Sequence, residues 1–169
     1  MRMTAYGRYS TAWTASSYVW SDASWGPRSQ AGHAVMYMNA TIAYASRCIK
    51  VICTSSTEAE TIAGVAATKD VKFARSILAF LWRAVTSPTP LLIDNSGMWF
   101  NVRNDVLSKN NRHWEIWELY VREGYLTLLI SIHKVHGEEE RADILTKPLP
   151  KEDSRYLRFR NDLLNFSLD

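Results

Sequence analysis

Four carboxylates in the sequence are placed where a metal-dependent reaction would need them. Asp22 and Asp94 each end an apolar stretch, Glu60 lies near the start of a long helical pattern, and Asp143 opens the segment ADILTK. Hard divalent ions such as Mg²⁺ prefer carboxylate oxygens as ligands. Two such ions about 4 Å apart activate a water molecule and stabilise the leaving oxygen in phosphodiester cleavage. These residue types therefore predict metal-assisted hydrolysis that needs neither a thiol nor a Ser/His pair.

The two aspartates follow apolar stretches that are predicted to be strands, YVWSD and PLLID. In open α/β sheets, ligands bind at the carboxyl ends of strands, where neighbouring loops leave a crevice. Aspartate is also common in turns and helix caps, which explains either residue taken alone. Finding both Asp22 and Asp94 at strand ends, on strands that are expected to be adjacent, favours a shared site.

The segment CTSSTEAET, residues 53 to 61, carries two glutamates that helical periodicity separates. Because side chains three and four apart share a helix face, Glu60 belongs to an apolar, sheet-facing row: Ala63, Gly64, Ala67, Val71, Ala74 and Leu78. Ser55 followed by Glu58 fits a capping box, in which a hydroxyl and a carboxylate bind the free amides of the first turn. A charge on the apolar row is costly unless it is neutralised. A cation held by Asp22, Glu60 and Asp94 together would neutralise it.

Asp143 has two interpretations. A negative charge at a helix N-terminus interacts favourably with the helix dipole, which is sufficient for this residue taken alone. As a fourth carboxylate arriving after the last strand, it would close an oxygen-rich metal site. The preceding segment GEEE, residues 137–140, is predicted to form a solvated turn.

The order of elements predicts an α/β protein with a mixed sheet. SYVWSDASW and GHAVMYMNATIAYAS give three antiparallel strands, the last two joined at Asn39-Ala40. Then follow a long helix over 57–82, the strand PLLID, helices at 97–104 and 112–123, the strand LTLLISIHKV and a C-terminal amphipathic helix. The later strands are expected to be parallel, with helices packed on the faces of the sheet.

Length and composition indicate one folded domain. The chain has 169 residues, of which 47% are hydrophobic, and this suffices for a single core. We assign residues 17–169 to the domain and residues 1–16 to an N-terminal extension of unknown role. The net charge of +3 permits a phosphate-rich partner without demanding one.

The two cysteines and the hydropathy pattern exclude several other classes of protein. Cys48 and Cys53 are too few for a disulfide framework or for a zinc site with paired spacings. No apolar run approaches the ~20 residues of a membrane helix, and the N-terminus lacks the apolar core of a secretory signal. We therefore expect a protein without a membrane partner.

Several blocks of the sequence resemble one protein family. YVWSDASW, TSSTEAETIA, LLIDNSG, RHWEIWELYVREG and ADILTKPLP resemble, in this order, the ribonuclease H domain that ends the polyprotein of copia-type (Pseudoviridae) LTR retrotransposons. The resemblance extends from about Tyr18 to Leu164, and SSTEAE and ADILTKPLP are its most specific parts. The loop WGPRSQAGH after the first strand is shorter than is usual in the family.

This resemblance implies an RNase H-like fold, a five-stranded mixed sheet flanked by helices, with the first and fourth strands adjacent. It implies a two-metal endonuclease that hydrolyses the RNA strand of RNA:DNA hybrids during reverse transcription. The family's metal-binding catalytic carboxylates match Asp22, Glu60, Asp94 and Asp143 of this sequence. The implied cofactors are two Mg²⁺ ions, for which Mn²⁺ substitutes. The implied partners are an RNA:DNA hybrid and a reverse transcriptase polymerase domain. The expected location is cytoplasmic, with virus-like particles and the nucleus as alternatives.

Other polar residues are candidates for roles around this site. His136 precedes Asp143 at a place where many ribonucleases H carry a mobile histidine, and a solvated loop histidine is the alternative. Hybrid binding needs phosphate contacts from basic side chains and contacts to the 2′-hydroxyl groups of RNA. The candidates for these substrate contacts are Arg28, Ser29, Arg47, Lys50, Asn95 and Ser96.

Two other functions fit the same sequence. A catalytically decayed domain would keep the fold as a structural or nucleic-acid-binding module, although all four carboxylates are present. An integrase-type or resolvase-type nuclease acting on DNA shares the carboxylate chemistry but lacks ADILTKPLP. Cleavage of a labelled hybrid, compared with duplex RNA and duplex DNA, separates the three functions.

Overall fold

The computed structural model describes residues 16–104 and 115–164 of the chain. Most of the predicted extension at 1–16 and the expected helix start at 112–114 lie outside these ranges. The strands are β1 Ser17–Ser24, β2 Gln30–Tyr37, β3 Ala40–Cys48, β4 Thr89–Ile93 and β5 Ile130–Lys134. The α-helices are α1 Ser56–Phe80, α2 Ser96–Arg103, α3 Glu115–Leu126, α4 Asp143–Thr146 and α5 Ser154–Leu164, with a 3₁₀ turn Gly137–Glu139 before α4.

The strands form one sheet in the order β3-β2-β1-β4-β5. β1, β2 and β3 are antiparallel neighbours, whereas β4 is parallel to β1 and β5 is parallel to β4. Val19 pairs with Leu91 and Trp20 with Leu92, which makes the first and fourth strands adjacent. The predicted five-stranded mixed sheet is confirmed.

Strand direction gives the sheet two distinct ends. β1 and β4 finish and α1 begins at one end, which we call the carboxylate end. The β2–β3 turn and the C-terminal ends of α1 and α3 lie at the opposite end. We call this the distal end, and define it as residues 37–40, 80–88 and 126–129.

The β2–β3 turn lies one residue before the predicted join at Asn39-Ala40. Met38 and Asn39 occupy it, with left-handed φ values of 50° and 63°. Two left-handed residues give a turn whose twist matches that of the flanking strands, and Asn tolerates this conformation better than Ala does. A bulge between Val35 and Met36 accommodates the change of register.

Alternate residues of β1 pack into two cores on opposite faces of the sheet. Val19 lies in a core that α1, α2 and α3 cover. Tyr18 and Trp20 lie in the other core, which Leu163 of α5 joins. All of these side chains are buried, and burial of a large apolar side chain contributes ~1.5–3 kcal/mol. β1 is therefore held between the two cores, and it positions Asp22 near its C-terminal end.

The helix α1 begins at the predicted cap and presents the predicted face to the sheet. The Ser55 hydroxyl accepts a hydrogen bond from the Glu58 N–H at 3.1 Å. The residues of the predicted sheet-facing row are all buried.

Further along the helix, Asp70 Oδ2 lies 2.7 Å from Nε2 of buried His33 on β2. No helix in the described part of the chain is long and apolar enough to cross a membrane.

The short helix α4 packs against β2 at Gly32. A methyl group at position 32 would lie 2.7 Å from Leu145 Cβ and 2.7 Å from Thr146 Cγ2, well inside van der Waals contact. The Ser46 hydroxyl of β3 donates to the Leu145 carbonyl at 2.5 Å. Glycine at position 32 therefore sets how closely α4 approaches the sheet.

The Gly32→Ala substitution is expected to lower the free energy of unfolding by about 1–3 kcal/mol, because overpacking forces α4 away from β2. Chemical denaturation measures this change. Gly26→Ala is the matched control, since a methyl group there meets nothing within 4 Å and the change is expected to be within about 1 kcal/mol. Equal effects of the two substitutions would contradict the close packing of α4.

Candidate active site

Three of the predicted carboxylates meet at the carboxylate end of the sheet. Asp22 lies near the end of β1, Asp94 directly follows β4, and Glu60 is in the second turn of α1. Each offers one oxygen, and these oxygens all lie within 4.8 Å of one another. Asp22 and Glu60 are buried, whereas Asp94 is partly exposed. The parallel pairing of β1 with β4 and the cap of α1 together produce this cluster.

Of the three carboxylates, Glu60 has the least favourable electrostatic environment. Its Oε2 atom is buried and has no hydrogen-bond partner in the described part of the chain. Burial, followed by the charges of Asp22 and Asp94, raises the pKa of Glu60 well above its usual range. The helical-face prediction is confirmed, because Glu60 and not Glu58 lies beside the aspartates.

Glu58 has a structural role at the start of α1. Its Oε2 atom accepts hydrogen bonds from the Thr54 N–H at 2.6 Å and from the Thr54 hydroxyl at 2.9 Å. In the predicted capping box, the carboxylate would bind the N–H of Ser55. The observed partner is one residue earlier, so Glu58 joins the loop before α1 to its first turn.

Asp94 is constrained by its neighbours on the next loop. Burial, followed by the charge of Asp22, raises the pKa of Asp94. A methyl group at Gly137 would lie 3.3 Å from Asp94 Oδ2. Glycine therefore lets the loop between β5 and α4 approach this carboxylate.

Asp22 is held by two side chains from the end of α4. The Thr146 hydroxyl donates to Asp22 Oδ2, and Lys147 Nζ lies 3.5 Å from Asp22 Oδ1. Sequence reasoning did not assign roles to Thr146 or Lys147. Their position in ADILTK could have indicated a role beside Asp143, because residues three and four after Asp143 return to its side of a helix.

Asp143 lies next to the cluster without belonging to it in the described part of the chain. Lys147 Nζ is 2.5 Å from Asp143 Oδ1, so this lysine bridges Asp143 and Asp22. Burial raises the pKa of Asp143 to about 6 against the lowering effect of the Lys147 hydrogen bond, and the charge of Asp22 adds to the rise. Burial opposes the charge of Lys147, but the bond to Asp143 and the charge of Asp22 outweigh it and raise the pKa of Lys147.

The cluster fits a hard divalent cation. Asp22, Glu60 and Asp94 bring three carboxylate oxygens within 4.8 Å of one another, and the pKa values of Glu60 and Asp94 are raised in part by the negative charge of Asp22. A cation among them would offset this repulsion and would give Glu60 Oε2 a partner. Oxygen-only donors of this kind suit Mg²⁺ or Mn²⁺ better than softer metals.

The expectation of a solvated GEEE turn is wrong for its last residue. Glu138 is exposed and Glu139 partly exposed, but Glu140 is fully buried. Glu140 Oε1 accepts from the Ala142 N–H at 3.0 Å, at the start of α4. Burial raises the pKa of Glu140 well above its usual range, against the Ala142 hydrogen bond and with the charges of Asp22 and Asp94. This burial depends on tertiary packing, which the local sequence does not encode.

His136 lies on the loop that approaches Asp94. It is exposed, and its Nδ1 atom accepts a hydrogen bond from the Glu138 N–H at 3.4 Å. This bond begins the 3₁₀ turn. The adjacent Gly137 is the residue close to Asp94, and the catalytic role of His136 stays a prediction.

The three basic residues predicted to contact substrate are exposed. Arg28 lies in the loop after β1, Arg47 near the end of β3, and Lys50 just after β3. All three belong to the carboxylate end of the sheet. Their ammonium and guanidinium groups are accessible to a phosphate backbone there.

The three uncharged candidates have local hydrogen bonds. Ser29 is buried, and its hydroxyl donates to the Gly26 carbonyl at 3.2 Å. Asn95 Oδ1 caps α2 by accepting from the Met98 N–H at 2.9 Å. The exposed Ser96 hydroxyl accepts from the Lys134 ammonium group. Substrate contact by these residues stays a prediction, as it does for the basic three.

The chain is similar in sequence to a retrotransposon protein. Over 143 residues it is 28% identical to the retrovirus-related Pol polyprotein from transposon RE1 of Arabidopsis thaliana. The match covers 82% of this chain but only 10% of the polyprotein. No protein-family model matches the chain. The predicted resemblance to a copia-type polyprotein is confirmed.

Solved ribonuclease H structures share the fold. The N-terminal RNase H domain of rv2228c from Mycobacterium tuberculosis is 15% identical with a TM-score of 0.54, over 86% of this chain and 96% of that chain. LC11-RNase H1 in complex with an RNA/DNA hybrid is 14% identical with a TM-score of 0.56, over 76% of this chain and 92% of that chain. RNase H1 from Halobacterium salinarum is 15% identical with a TM-score of 0.54, over 75% of this chain and 89% of that chain. These likenesses establish an RNase H-like fold.

The two glutamates of α1 are expected to respond oppositely to substitution. Because the pKa of Glu60 is raised in the folded state, the protonated side chain stabilises the fold fully below about pH 4.5. This contribution is lost as the pH rises through the folded-state pKa. Glu60→Gln, which has no charge, should therefore match the wild type in acid and exceed its free energy of unfolding at pH 8 without metal. Glu58→Gln should lower it by about 1–3 kcal/mol, because bonds to a carboxylate are lost. Denaturation in EDTA measures both, and a destabilised Glu60→Gln would contradict the account.

Metal affinity is expected to depend on pH through Asp143. Metal ligands must be deprotonated, and the pKa of Asp143 is raised to about 6. Affinity for Mn²⁺ should therefore be high above pH 6 and fall as the pH drops through that value. Calorimetric titration with Mn²⁺ on both sides of pH 6 measures the change. Asp143→Asn should bind more weakly and lose the part of the pH dependence centred near pH 6, while the raised pKa values of Glu60 and Asp94 keep the rest. An unchanged profile in that variant would assign the whole dependence to Glu60 and Asp94.

Proposed function

We propose that the protein is a ribonuclease H, a metal-dependent endonuclease that hydrolyses the RNA strand of RNA:DNA hybrids during retrotransposon reverse transcription. The observation that carries the proposal is the approach of Asp22, Glu60 and Asp94 to within 4.8 Å at the carboxylate end of an RNase H-like sheet. The similarity to a retrotransposon polyprotein supports the biological setting. A fold neighbour that was solved with an RNA/DNA hybrid supports the choice of substrate.

Four side chains would hold two divalent ions. Asp22, Glu60 and Asp94 would bind the first, for which their oxygens are already gathered. Asp143, held 2.5 Å from Lys147, lies beside this group and would add its carboxylate for the second. When bound, Mg²⁺ supplies activation of the attacking water and stabilisation of the leaving oxygen.

The other residues of the site position these groups and the substrate. The Thr146 hydroxyl fixes Asp22 Oδ2, so the orientation of the central carboxylate does not depend on the metal. The Lys147 ammonium group brings positive charge to the same end, which favours approach of an anionic phosphodiester. Arg28, Arg47 and Lys50, all exposed, would contact the hybrid backbone and add to the salt dependence of binding.

One observation favours a second candidate function, a decayed module that binds nucleic acid without cleaving it. Lys147 Nζ is placed between Asp143 Oδ1 at 2.5 Å and Asp22 Oδ1 at 3.5 Å. A resident ammonium group therefore neutralises part of the carboxylate charge without a metal. The fold could persist in this form, and measurement of cleavage alongside binding separates the two functions.

The proposed activity is tested with end-labelled RNA:DNA hybrid, duplex RNA and duplex DNA, each with Mg²⁺, Mn²⁺ or EDTA. We expect metal-dependent cleavage of the RNA strand in the hybrid alone. Asp94→Asn should lower kcat by about 100-fold or more, because a metal ion stabilises the transition state by several kcal/mol. Glu58→Gln is the control, since its carboxylate lies on the same helix as Glu60 but bonds to Thr54. Binding of the hybrid without cleavage under every metal condition would favour the decayed module.

A further inference from the structure

The helices α1 and α3 end in the same unusual way at the distal end. Beyond α1, the Arg83 N–H bonds to the Leu78 carbonyl at 2.8 Å and the Trp82 N–H to the Ala79 carbonyl at 3.1 Å. Beyond α3, the Leu129 and Leu128 N–H groups bond to the carbonyls five and three residues earlier, at 3.0 and 3.2 Å. Both patterns are Schellman motifs, which require a left-handed residue that is usually glycine.

Bulky apolar residues occupy both of these glycine-type positions. Trp82 has a φ of 60° and is 92% exposed, and Leu128 has a φ of 58° and is 66% exposed. Met38, in the β2–β3 turn, repeats the combination with a φ of 50° and 68% exposure. Each residue accepts an unfavourable backbone conformation and places an apolar side chain in water. Positions that combine an unfavourable backbone conformation with an exposed apolar side chain belong to functional surfaces more often than to ordinary solvent-exposed surfaces.

Neighbouring residues enlarge this apolar surface. Phe80 is 83% exposed, and Leu81 and Leu126 are each more than half exposed. With Trp82 and Leu128 they offer on the order of 600 Å² of apolar area, taking ~200 Å² for each aromatic and ~80 Å² for each other side chain. The largest apolar patch on a typical monomer is about 300–600 Å². A standard protein–protein interface buries about 800 Å² on each partner.

The surface is held in a fixed shape. Arg75 donates to the Val85 carbonyl at 2.7 Å and to the Ser87 carbonyl at 2.8 Å, in the loop that follows Trp82. The same guanidinium group donates to the Leu129 carbonyl at 3.3 Å, in the segment that follows Leu128. One partly exposed arginine therefore joins the two apolar segments, and little conformational entropy is lost when the surface is covered.

We propose that the distal end is an interface between two copies of this chain. The distal end, residues 37–40, 80–88 and 126–129, contains a single charged residue, Arg83. The guanidinium group of Arg75 is the other charge at this end, and it is bonded to carbonyls of the same chain. Two such faces meet without extensive like-charge contact, and a two-fold axis places the same apolar patch on both sides. The available apolar area approaches that of one side of a standard interface. Because the carboxylates lie at the opposite end of the sheet, both sites stay open in such a dimer.

Sedimentation equilibrium of the 169-residue chain, from micromolar to millimolar concentration, tests this proposal. We expect a reversible dimer. Trp82→Gly and Leu128→Gly should each weaken dimerisation at least about tenfold, because truncation of a central anchor typically has this effect or a larger one. Ile52→Ser is the matched control. Ile52 is 91% exposed at the carboxylate end, and its loss should leave the dimer constant unchanged.

The glycine variants also distinguish a loss of dimerisation from a loss of folding. Glycine is favoured at left-handed positions, so both variants should retain or raise the Tm, by up to ~2–4 °C, at concentrations where the wild type is monomeric. A chain that stays monomeric at every concentration overturns the proposal and leaves the face to another occupant, such as a neighbouring domain of a longer polypeptide. A dimer that both glycine variants leave unchanged, or that Ile52→Ser abolishes, overturns it equally.

Discussion

Repulsion among three closely placed carboxylates, two of them buried, is the constraint on which the rest of this structure depends. Asp22, Glu60 and Asp94 bring oxygens within 4.8 Å of one another, and burial with mutual charge raises the pKa values of Glu60 and Asp94. Such an arrangement opposes folding, since neither a charge nor an unpaired polar atom is buried without cost. The surrounding fold must supply the free energy that keeps these groups together.

That support comes from both faces of the sheet. On one face, α1 buries a continuous apolar row beyond Glu60 and is capped by Ser55 and Glu58. On the other face, α4 approaches β2 because position 32 is glycine, and it delivers Thr146 to Asp22. Lys147 completes the arrangement as the positive charge beside Asp22. A short helix of four residues thus orients the central carboxylate and offsets part of its charge.

Periodicity and strand order made much of this predictable, and tertiary packing accounts for the rest. The 3.6-residue repeat separates Glu60 from Glu58, and the resemblance to copia-type ribonuclease H domains implies that the strands carrying Asp22 and Asp94 are adjacent. Glu140 could not be recognised as buried, because GEEE is polar and its burial arises from the packing of α4. The position of Asp143, linked through Lys147 rather than grouped with the other three, depends on a side-chain contact. The four-residue spacing of Asp143 and Lys147 is periodic, but the reach of Lys147 to Asp22 is a long-range contact that leaves no periodic signal.

Diffraction from crystals grown with Mn²⁺, measured at the manganese absorption edge, tests the central claim most directly. If the carboxylates are gathered to hold a metal, an anomalous peak will lie among the oxygens of Asp22, Glu60 and Asp94, with Glu60 Oε2 as a ligand or bound to a ligand water. An absence of manganese at this cluster, with Glu60 Oε2 still buried and Lys147 still bridging Asp22 and Asp143, would contradict the account.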